Sequence, residues 1–543
     1  MAEDSTDRRT FLSAVGGAAA AALAGCTGDG GSPTDGGTSS PVPPATQTDV
    51  STPEGGPQSG GTLRVGFESE LTGLDPHRTG SVVSWLVNFN VCETLITFAD
   101  GAPAARLATD WEIGDDGRTY TFTLTEDARF HPPVDRQMTA EDVVYSFERM
   151  NQEGAMGSDL AAVESIEATG DYEVTFTLSG TFAPFFNFLG RVPWVVVPEE
   201  AVEAQGGELG DFQEPVGTGP FVFSEYEPGD SLTLSAFAEY REEGVPLLDA
   251  VEITPIPDAD SRVAALRGGD MDMVRGVSGS DADTLRESEE TKLSRQSGTE
   301  WGQLHINCSE APWDDPAVRR AVAHVVDREA IVEAAVSGYG RAAWQPYAED
   351  SIWHYDLGDS RRTRDVERAQ QILEDAGNPL EGETLTIKTN TRYSLMETTA
   401  DLLVANLAEA GIDAETEVLE WGTQLEDFIT GNFGAMAFSV PFKIDPDRHY
   451  YGFVHPDGTQ FNHYGADQPD ADRMYELLEQ GRSETDEETR IETYAEFEGL
   501  VNKNCPWISI ARVDGIAGLR SNVYGNQPWL LPYTRFWTMW KGE

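Results

Sequence analysis

The chain has 543 residues, of which 94 are acidic and 37 basic, so its formal charge at pH 7 is −57. A chain of this length is too long for one hydrophobic core, so we expect two or three structural domains. A surface this acidic excludes nucleic acid as a partner, because like charges repel at every approach. The acids are spread over nearly every segment, which favours a solvation layer for very high salt over capture of a cationic ligand. Self-repulsion is tolerable there because the Debye length falls to about 3 Å at molar salt, so we expect a haloarchaeal origin.

The first 26 residues are predicted to be an export signal rather than part of a fold. Residues Asp7 to Leu12 match the twin-arginine pattern, and Ala14 to Ala24 form an apolar run too short to span a bilayer. Leu23 to Cys26 are similar to a lipobox, in which Cys26 becomes the lipidated N-terminus; the alternative is a stray cysteine among small residues. Residues 27–60 are rich in Gly, Pro, Ser and Thr, which predicts a flexible tether.

The globular part is predicted to open with a strand at Gly61 to Phe67. The pair Asp116-Gly117 stands between two alternating runs, which indicates a hairpin turn. Thr139 to Ser146 are typical of an N-capped helix. The string PVGTGPF at 215–221 has no GxxxxGK[ST] frame, so we interpret its glycines as backbone turns rather than a phosphate cradle. The acids around Asp270 lack the spacing of a calcium loop, so no metal site is predicted.

The segment from Trp301 to Ile331 predicts a strand followed by two helices. Leu304 and Ile306 alternate with polar residues, the period of a half-buried strand. Asp315 is placed to cap the first helix, with Pro316 at its first position. Asp327 is placed to cap the second.

The second half of the chain alternates strands with helices. Leu385 to Asn390 and Ile412 to Leu419 are predicted strands, and Asp401 to Gly411 a helix that ends at a glycine. This order predicts a mostly parallel sheet, whose ligand crevice lies at the carboxyl ends of the strands.

Several strings, in this order, resemble the extracellular solute-binding proteins of peptide-type ABC transporters, family 5. The matching strings are GTLRVGF at 61–67, LDP at 74–76, TAEDVVYSF at 139–147, PVGTGPF at 215–221, DPAVRRA at 315–321, DREAI at 327–331 and DPD at 445–447. Together with shorter matches between them, the resemblance covers nearly all of residues 60–543. One departure is His131, which is followed by Pro132 and Pro133 where the family usually places Asp-Gly.

The resemblance implies an α/β, two-lobed periplasmic-binding-protein type II fold with mixed sheets, a hinge between the lobes and an extra inserted subdomain. The implied division is 1–26 signal, 27–60 tether, 61–92 with 193–300 and 511–543 as the first lobe, 93–192 as the inserted subdomain and 301–510 as the second lobe.

The implied function is capture of an oligopeptide, dipeptide or oligosaccharide between closing lobes and delivery to an ABC permease. The protein would be a monomer on the outer face of the cell membrane, held there only by the lipid on Cys26. The alternative is a lipoprotein that reports a ligand to a chemotaxis or signalling partner. The sequence has no GxSxG, HExxH, CxxC or GxGxxG frame, so we expect no catalysis and no cofactor.

The resemblance also implies where the ligand binds. The implied contacts are Thr79, Gly80, Ser81 and Val82 in one lobe, and Asn390, Arg392, Tyr393, Trp421, Ser439, Val440, Phe442 and Lys443 in the other. Peptide-binding members place an Asp just ahead of the Asp-Pro motif, where it pairs with the ammonium group of the peptide. This chain has Pro441, Phe442 and Lys443 there, and a buried ammonium group without a counter-charge is costly.

We therefore expect Lys443 or Arg392 to meet an anionic group of the ligand. A sugar ligand would instead use Trp421 as a stacking platform. The alternative for Trp421 and Phe442 is a place in the core, where most aromatic residues lie.

Three cysteines, Cys92, Cys308 and Cys505, remain once Cys26 is lipidated. They can form one disulfide and one free thiol, or three separate buried thiols.

Overall fold

The computed structural model describes residues 56–71, 73–99, 102–153, 161–390, 394–441, 443–458, 463–527 and 533–542. The strands are β1 Thr62–Phe67, β2 Glu93–Thr94, β3 Ile96–Ala99, β4 Ala102–Ala105, β5 Ala108–Ile113, β6 Thr119–Leu124, β7 Val163–Gly170, β8 Glu173–Leu178, β9 Val195–Val196, β10 Phe221–Glu227, β11 Ser231–Ala236, β12 Ala250–Pro255, β13 Met273–Val274, β14 Thr291–Ile306, β15 Gly340–Ala342, β16 Leu385–Asn390, β17 Ala414–Leu419, β18 Ala435–Pro441, β19 Trp507–Arg520, β20 Val523–Tyr524 and β21 Trp540–Lys541.

The helices lie between these strands along the chain. They are α1 Val82–Val91, α2 Ala140–Glu153, α3 Phe185–Leu189, α4 Glu199–Ala204, α5 Ala259–Gly268, α6 Gly279–Arg286, α7 Pro316–Val325, α8 Arg328–Val336, α9 Val366–Asp375, α10 Ser394–Glu409, α11 Trp421–Thr430, α12 Asp447–Val454, α13 Ala471–Ser483 and α14 Glu487–Asn504. Within the described ranges, none of these helices is both long and apolar enough to cross a membrane.

The largest described sheet has 11 strands in the order β10-β11-β12-β1-β13-β19-β14-β18-β16-β17, with β15 beside β19. Strand β1 is parallel to β12 and β13, and β16 is parallel to β17 and β18. The prediction of a mostly parallel sheet is wrong for its centre, where β14 is antiparallel to both β18 and β19. The sheet is mixed because β14 carries the chain out of one half of the molecule and β19 carries it back.

Two hydrophobic cores that share no residue meet at β19, whose Leu519 belongs to the first and whose Trp507 and Ile508 belong to the second. One core is built on β1, β6 and α1 and is completed by Leu519 and Phe536 near the end of the chain. The other runs from Trp301 to Ala511. The ladder between β14 and β19 is interrupted between Gln296 and Glu300, where Gly298 has a φ of 59°. A bulge of this kind bends a strand locally.

A separate four-stranded sheet in the order β5-β6-β8-β7 contributes residues of β6 and β8 to the first core. Its first hairpin turns at the predicted Asp116-Gly117 pair, where Gly117 has a φ of 66° and Asp116 accepts the amide protons of Arg118 and Thr119. The hairpin prediction is therefore confirmed.

The central helix starts are also confirmed. The Asp315 carboxylate accepts the Ala317 amide proton at 2.7 Å, and Pro316 is the first residue of α7. The Asp327 carboxylate accepts the Ala330 amide proton at 3.0 Å at the start of α8. In contrast, α10 begins at Ser394 rather than Asp401, so it is longer than predicted.

Strand β14 was predicted to be half-buried, and it is buried on both faces in its second half. His305 lies 5.0 to 6.0 Å from the rings of Phe428, Phe433, Phe453 and His463. The alternation of apolar and polar residues predicted one exposed face of β14. Aromatic residues of α11, α12 and the loops beside them cover that face instead.

The glycines of the PVGTGPF string serve close packing and not turns. A Cβ on Gly217 would lie 2.3 Å from the Val91 carbonyl oxygen, and one on Gly219 would lie 2.7 Å from the same atom. Neither residue has a positive φ. The His131 ring completes the contact, with Nε2 at 2.8 Å from the Gly219 carbonyl oxygen. The interpretation of these glycines as backbone turns is therefore wrong.

Candidate functional site

The first wall of the candidate site is the loop from Thr79 to Val82 and the helix α1 that follows. Ser81 is the N-cap of α1, and the Thr79 carbonyl oxygen accepts the indole N–H of Trp85 at 2.9 Å. Gly80 is exposed, whereas Thr79 is buried. The loop is thus held rigidly, and Val82 and Trp85 face a cavity.

A buried ion pair between Asp75 and Arg149 holds this loop in place. Arg149 of α2 binds both oxygens of Asp75, at 2.9 and 2.6 Å, and the Gly210 amide donates to the same carboxylate at 2.8 Å. Burial alone would raise the pKa of Asp75, but these hydrogen bonds and the charge of Arg149 hold it below its ordinary value. Asp75 therefore stays ionised and fixes the loop against α2.

The second wall comes from the end of β18 and the start of α12. Pro441, Lys443, Ile444, Asp445, Asp447 and Arg448 all line the cavity. Two predicted contacts on β18 do not line it. The Ser439 hydroxyl donates to Glu300 at 2.7 Å, and Val440 is buried in the second core.

The third wall comes from α3 and the residues beside it. Pro184, Asn187, Phe188 and Arg191 line the cavity, and Tyr533 from the end of the chain closes it. None of these residues was predicted from the sequence to contact the ligand. A lone arginine in an otherwise apolar run, Arg191, was the available signal.

The cavity between these walls has a volume of about 70 Å³. Pockets for small molecules usually measure about 300–1,000 Å³, so in this conformation the cavity is too small for most ligands without movement of its walls. Three contacts hold the walls together. The Ala183 amide donates to the Arg482 carbonyl oxygen at 2.7 Å, Asn187 donates to Asp445 at 3.0 Å, and the Arg448 guanidinium lies 5.6 Å from the Phe188 ring centre. These contacts join the third wall to the second half of the chain.

The charges of the cavity wall are unbalanced. Its carboxylates are already paired, Asp445 with Arg490 at 2.6 and 2.8 Å and Asp447 with Arg482 at 3.0 Å. Its own cations are Arg191, Lys443 and Arg448. The cavity wall itself thus carries two acids and three bases, in a chain where acids outnumber bases by 94 to 37.

Two other predicted ligand contacts lie outside the cavity wall. Asn390 is buried and donates from Nδ2 to Gln424 of α11. Trp421 is the first residue of α11, and its ring stacks on Phe438 with 6.4 Å between centres and 16° between planes. Arg392, Tyr393, Phe442 and Cys26 lie outside the described residues. Of the predicted contacts that are described, the structure brings Val82 and Lys443 together at the cavity.

Among the described residues, the cysteines are buried and the acidic side chains do not cluster into a metal site. Cys92, Cys308 and Cys505 are free and buried, and burial raises the pKa of Cys308 to about 12. Within the ranges described, no group of three or more His, Cys, Asp or Glu side chains is placed to hold a metal ion.

Comparison with known proteins gives matches over most of the chain. The family model described as bacterial extracellular solute-binding proteins, family 5, middle, matches residues 102–461. Heme-binding protein A of Haemophilus influenzae is 29% identical over 468 residues, which cover 80% of this chain and 84% of that protein. A probable di/tripeptide-binding protein of Pseudomonas aeruginosa is 27% identical over 509 residues, or 87% and 94% of the two chains.

A solved structure gives the same picture for the fold. The ABC transporter-associated periplasmic binding protein DppA of Helicobacter pylori, in complex with the peptide STSA, matches with a TM-score of 0.77 and 24% identity over 90% of this chain and 99% of that one. The fold prediction, a two-lobed mixed α/β periplasmic-binding-protein type, is confirmed.

Proposed function

This chain belongs to the bacterial extracellular solute-binding proteins, family 5, and on that premise we propose that it captures a small anionic solute between its two lobes for an ABC importer. The observation that carries the proposal is the charge of the cavity wall. The wall carries three bases, Arg191, Lys443 and Arg448, and two acids, Asp445 and Asp447, each of which is in an ion pair with an arginine outside the wall. An anionic group of a ligand therefore meets net positive charge there.

The ligand class follows from the same balance. The peptide-binding relatives suggest a peptide-like solute, and an oligosaccharide remains the alternative. The carboxylates at the cavity are in ion pairs, so the ammonium group of a free peptide meets net positive charge there. We therefore expect an acylated peptide acid, or another carboxylate-rich solute, to bind more tightly than a free peptide of the same length. Closure around it is a hinge motion in which the ligand selects the closed state.

The test is calorimetric titration with three matched ligands: an N-acetyl dipeptide acid, the free dipeptide and the free dipeptide amide. We expect affinity to fall in that order, and Lys443→Gln to weaken binding of the acetylated acid about tenfold, or about 1.4 kcal/mol. Arg286→Gln, at an exposed pair on α6, is the matched control and should bind as the parent does. Tightest binding by the amide would contradict the proposal, as would tight binding of an oligosaccharide with all three peptides silent.

Export and anchoring are part of the proposal. The twin arginines at Arg8 and Arg9 would carry the folded protein across the membrane, and lipid on Cys26 would hold it on the outer face. Free buried thiols in the globular part suit a protein that folds before export. The net charge of −57 suits a halophilic source. Release of Cys26→Ser protein from the membrane fraction would support the anchor, and retention would contradict it.

The remaining proposals concern organisation. We propose the lobe boundaries 61–92 with 193–300 and 511–543, 93–192 and 301–510, a monomeric state, and no catalytic activity. Proteins of this family bind solutes and are not enzymes. A sensing role gains no support from the comparisons, whose relatives are named for binding and transport.

A further inference from the structure

A second cavity lies on the second lobe, between the end of α7, the segment before α9 and the end of α14. Its volume is about 560 Å³. Arg361, Arg362, Arg368 and Lys503 place four cationic side chains in its wall, against one carboxylate, that of Asp359. No residue of this wall belongs to the cavity at Lys443.

The charge of this wall is opposite to that of the chain. Acids outnumber bases by 94 to 37 overall, and bases outnumber acids by four to one here. In the part of the chain that the structure describes, neither Arg361, Arg362 nor Arg368 forms an ion pair, and only Lys503 does, with Asp470 at 2.7 Å. The nearby Asp365 serves as the N-cap of α9 and accepts the Arg368 amide proton at 2.8 Å.

Two of the arginines are held in place without a ligand. Arg362 donates from Nη1 to the Asn502 side-chain oxygen at 2.7 Å, and its own carbonyl oxygen accepts the indole N–H of Trp344 at 3.0 Å. The Arg361 guanidinium lies 4.8 Å from the centre of the same indole ring, and its buried Nε has no hydrogen-bond partner among the described residues. Fixed donors lose less entropy when they bind, so the wall is preorganised.

We propose that this cavity binds a phosphoryl group carried on a larger molecule. Arginine binds phosphate oxygens through two parallel N–H donors, and several cationic side chains in one wall suit the oxygens of a phosphoryl group. A volume of about 560 Å³ exceeds what an inorganic ion fills and lies within the range of small-molecule pockets. Tyr355 in the wall offers an apolar face to the rest of the ligand. The same chemistry is present in a free nucleoside monophosphate and in a phospholipid headgroup.

The test uses the full chain at one constant salt concentration, with AMP in solution and with phosphatidylglycerol vesicles as separate probes. Calorimetry measures AMP binding and co-sedimentation measures vesicle binding. We expect saturable binding of one probe and at least tenfold weaker binding by Arg361→Gln/Arg368→Gln. Arg267→Gln, which removes an exposed arginine of α5, is the control and should bind as the parent does. AMP binding identifies a free phosphate ester as the source, and vesicle binding alone identifies a headgroup.

His324 in the cavity wall reports where the probe binds, independently of the variants. Burial and the charges of Arg362 and Arg368 lower the pKa of this histidine. A phosphate dianion beside it raises that pKa, so the imidazole titration followed by NMR should move upward when the probe is added. Binding that leaves the His324 titration unchanged, equal binding by the double variant, or no binding of either probe to the parent overturns the proposal.

Discussion

Glu93 and Glu498 are both buried away from water, yet the pKa values of their carboxyl groups are shifted in opposite directions. Glu93 in β2, next to Cys92 of the first core, contacts Arg106 at 2.8 Å and both Nη atoms of Arg241 at 2.5 and 2.8 Å. Burial would raise its pKa, but the two arginines lower it to about 2. Glu498 in α14 of the second core accepts a hydrogen bond from Tyr450, and burial raises its pKa to about 7.

The difference shows that burial does not decide the charge of a carboxyl group here. Two guanidinium groups at contact distance overcome the desolvation of Glu93, and one phenolic hydrogen bond does not overcome that of Glu498. At neutral pH the first glutamate is therefore a fixed anion that ties together distant segments. The second is a titrating group inside a core.

The largest effect should come from removing the Glu93 charge. Glu93→Gln leaves Arg106 and Arg241 without their buried partner, so we expect a loss of about 3–5 kcal/mol in the free energy of unfolding. Denaturant unfolding of the parent and the variant measures it. Glu164→Gln, at an exposed pair with Arg118, is the control and should change stability by less than about 1 kcal/mol. A Glu93→Gln variant as stable as the Glu164→Gln control would contradict the assignment of Glu93 as a fixed buried anion.

The pH dependence of Glu498 should be smaller and of opposite sign to that of a paired acid. Its pKa is about 7 in the folded protein and near 4.5 when unfolded, so the folded state holds the extra proton between these values. Stability should therefore fall as pH rises from about 4.5 to 7, by on the order of 3 kcal/mol in total. Glu498→Gln should remove this contribution. The control Glu496→Gln, at the exposed pair with Arg473, should retain it. Identical pH profiles for the Glu498 variant and the parent would contradict the assignment.

The smallest effect should come from the hydrogen bond that Tyr450 donates to Glu498. Tyr450→Phe removes a contact that lowers the pKa of Glu498, so the midpoint of the stability change should move to higher pH. The loss of stability at pH 8 should be about 1 kcal/mol, since one buried hydrogen bond is removed. Stability measured against pH for both proteins checks this, and a midpoint that moves to lower pH would show that the hydrogen bond favours the neutral carboxyl group.

Local chemistry was predictable from the sequence, and long-range packing was not. The caps at Asp315 and Asp327 and the turn at Gly117 depend on neighbours within three residues, so the sequence around them was sufficient. The close approach of Gly217 to Val91 joins positions far apart in the chain, and no local pattern distinguishes it from a turn.

The candidate site shows the same limit. Of the residues that the family resemblance implied as ligand contacts, Lys443 and Val82 line the cavity, whereas Trp421 and Asn390 do not. Trp421 begins a helix and stacks its ring on Phe438, and Asn390 is hydrogen-bonded to Gln424. Asn187 of α3 and Arg191 just after it were missed because this segment packs against the second wall only in the folded protein.

The pairing of β14 with β19 on both sides of the bulge between Gln296 and Glu300 couples the thermal unfolding of the two cores. The two strands pair on both sides of this bulge, and β19 carries residues of both cores. Unfolding of one core disrupts strand pairing on which the other core depends. We therefore expect thermal unfolding to occur as a single calorimetric transition. A solute held between the lobes then slows amide exchange along the whole length of both strands, including positions that it never touches.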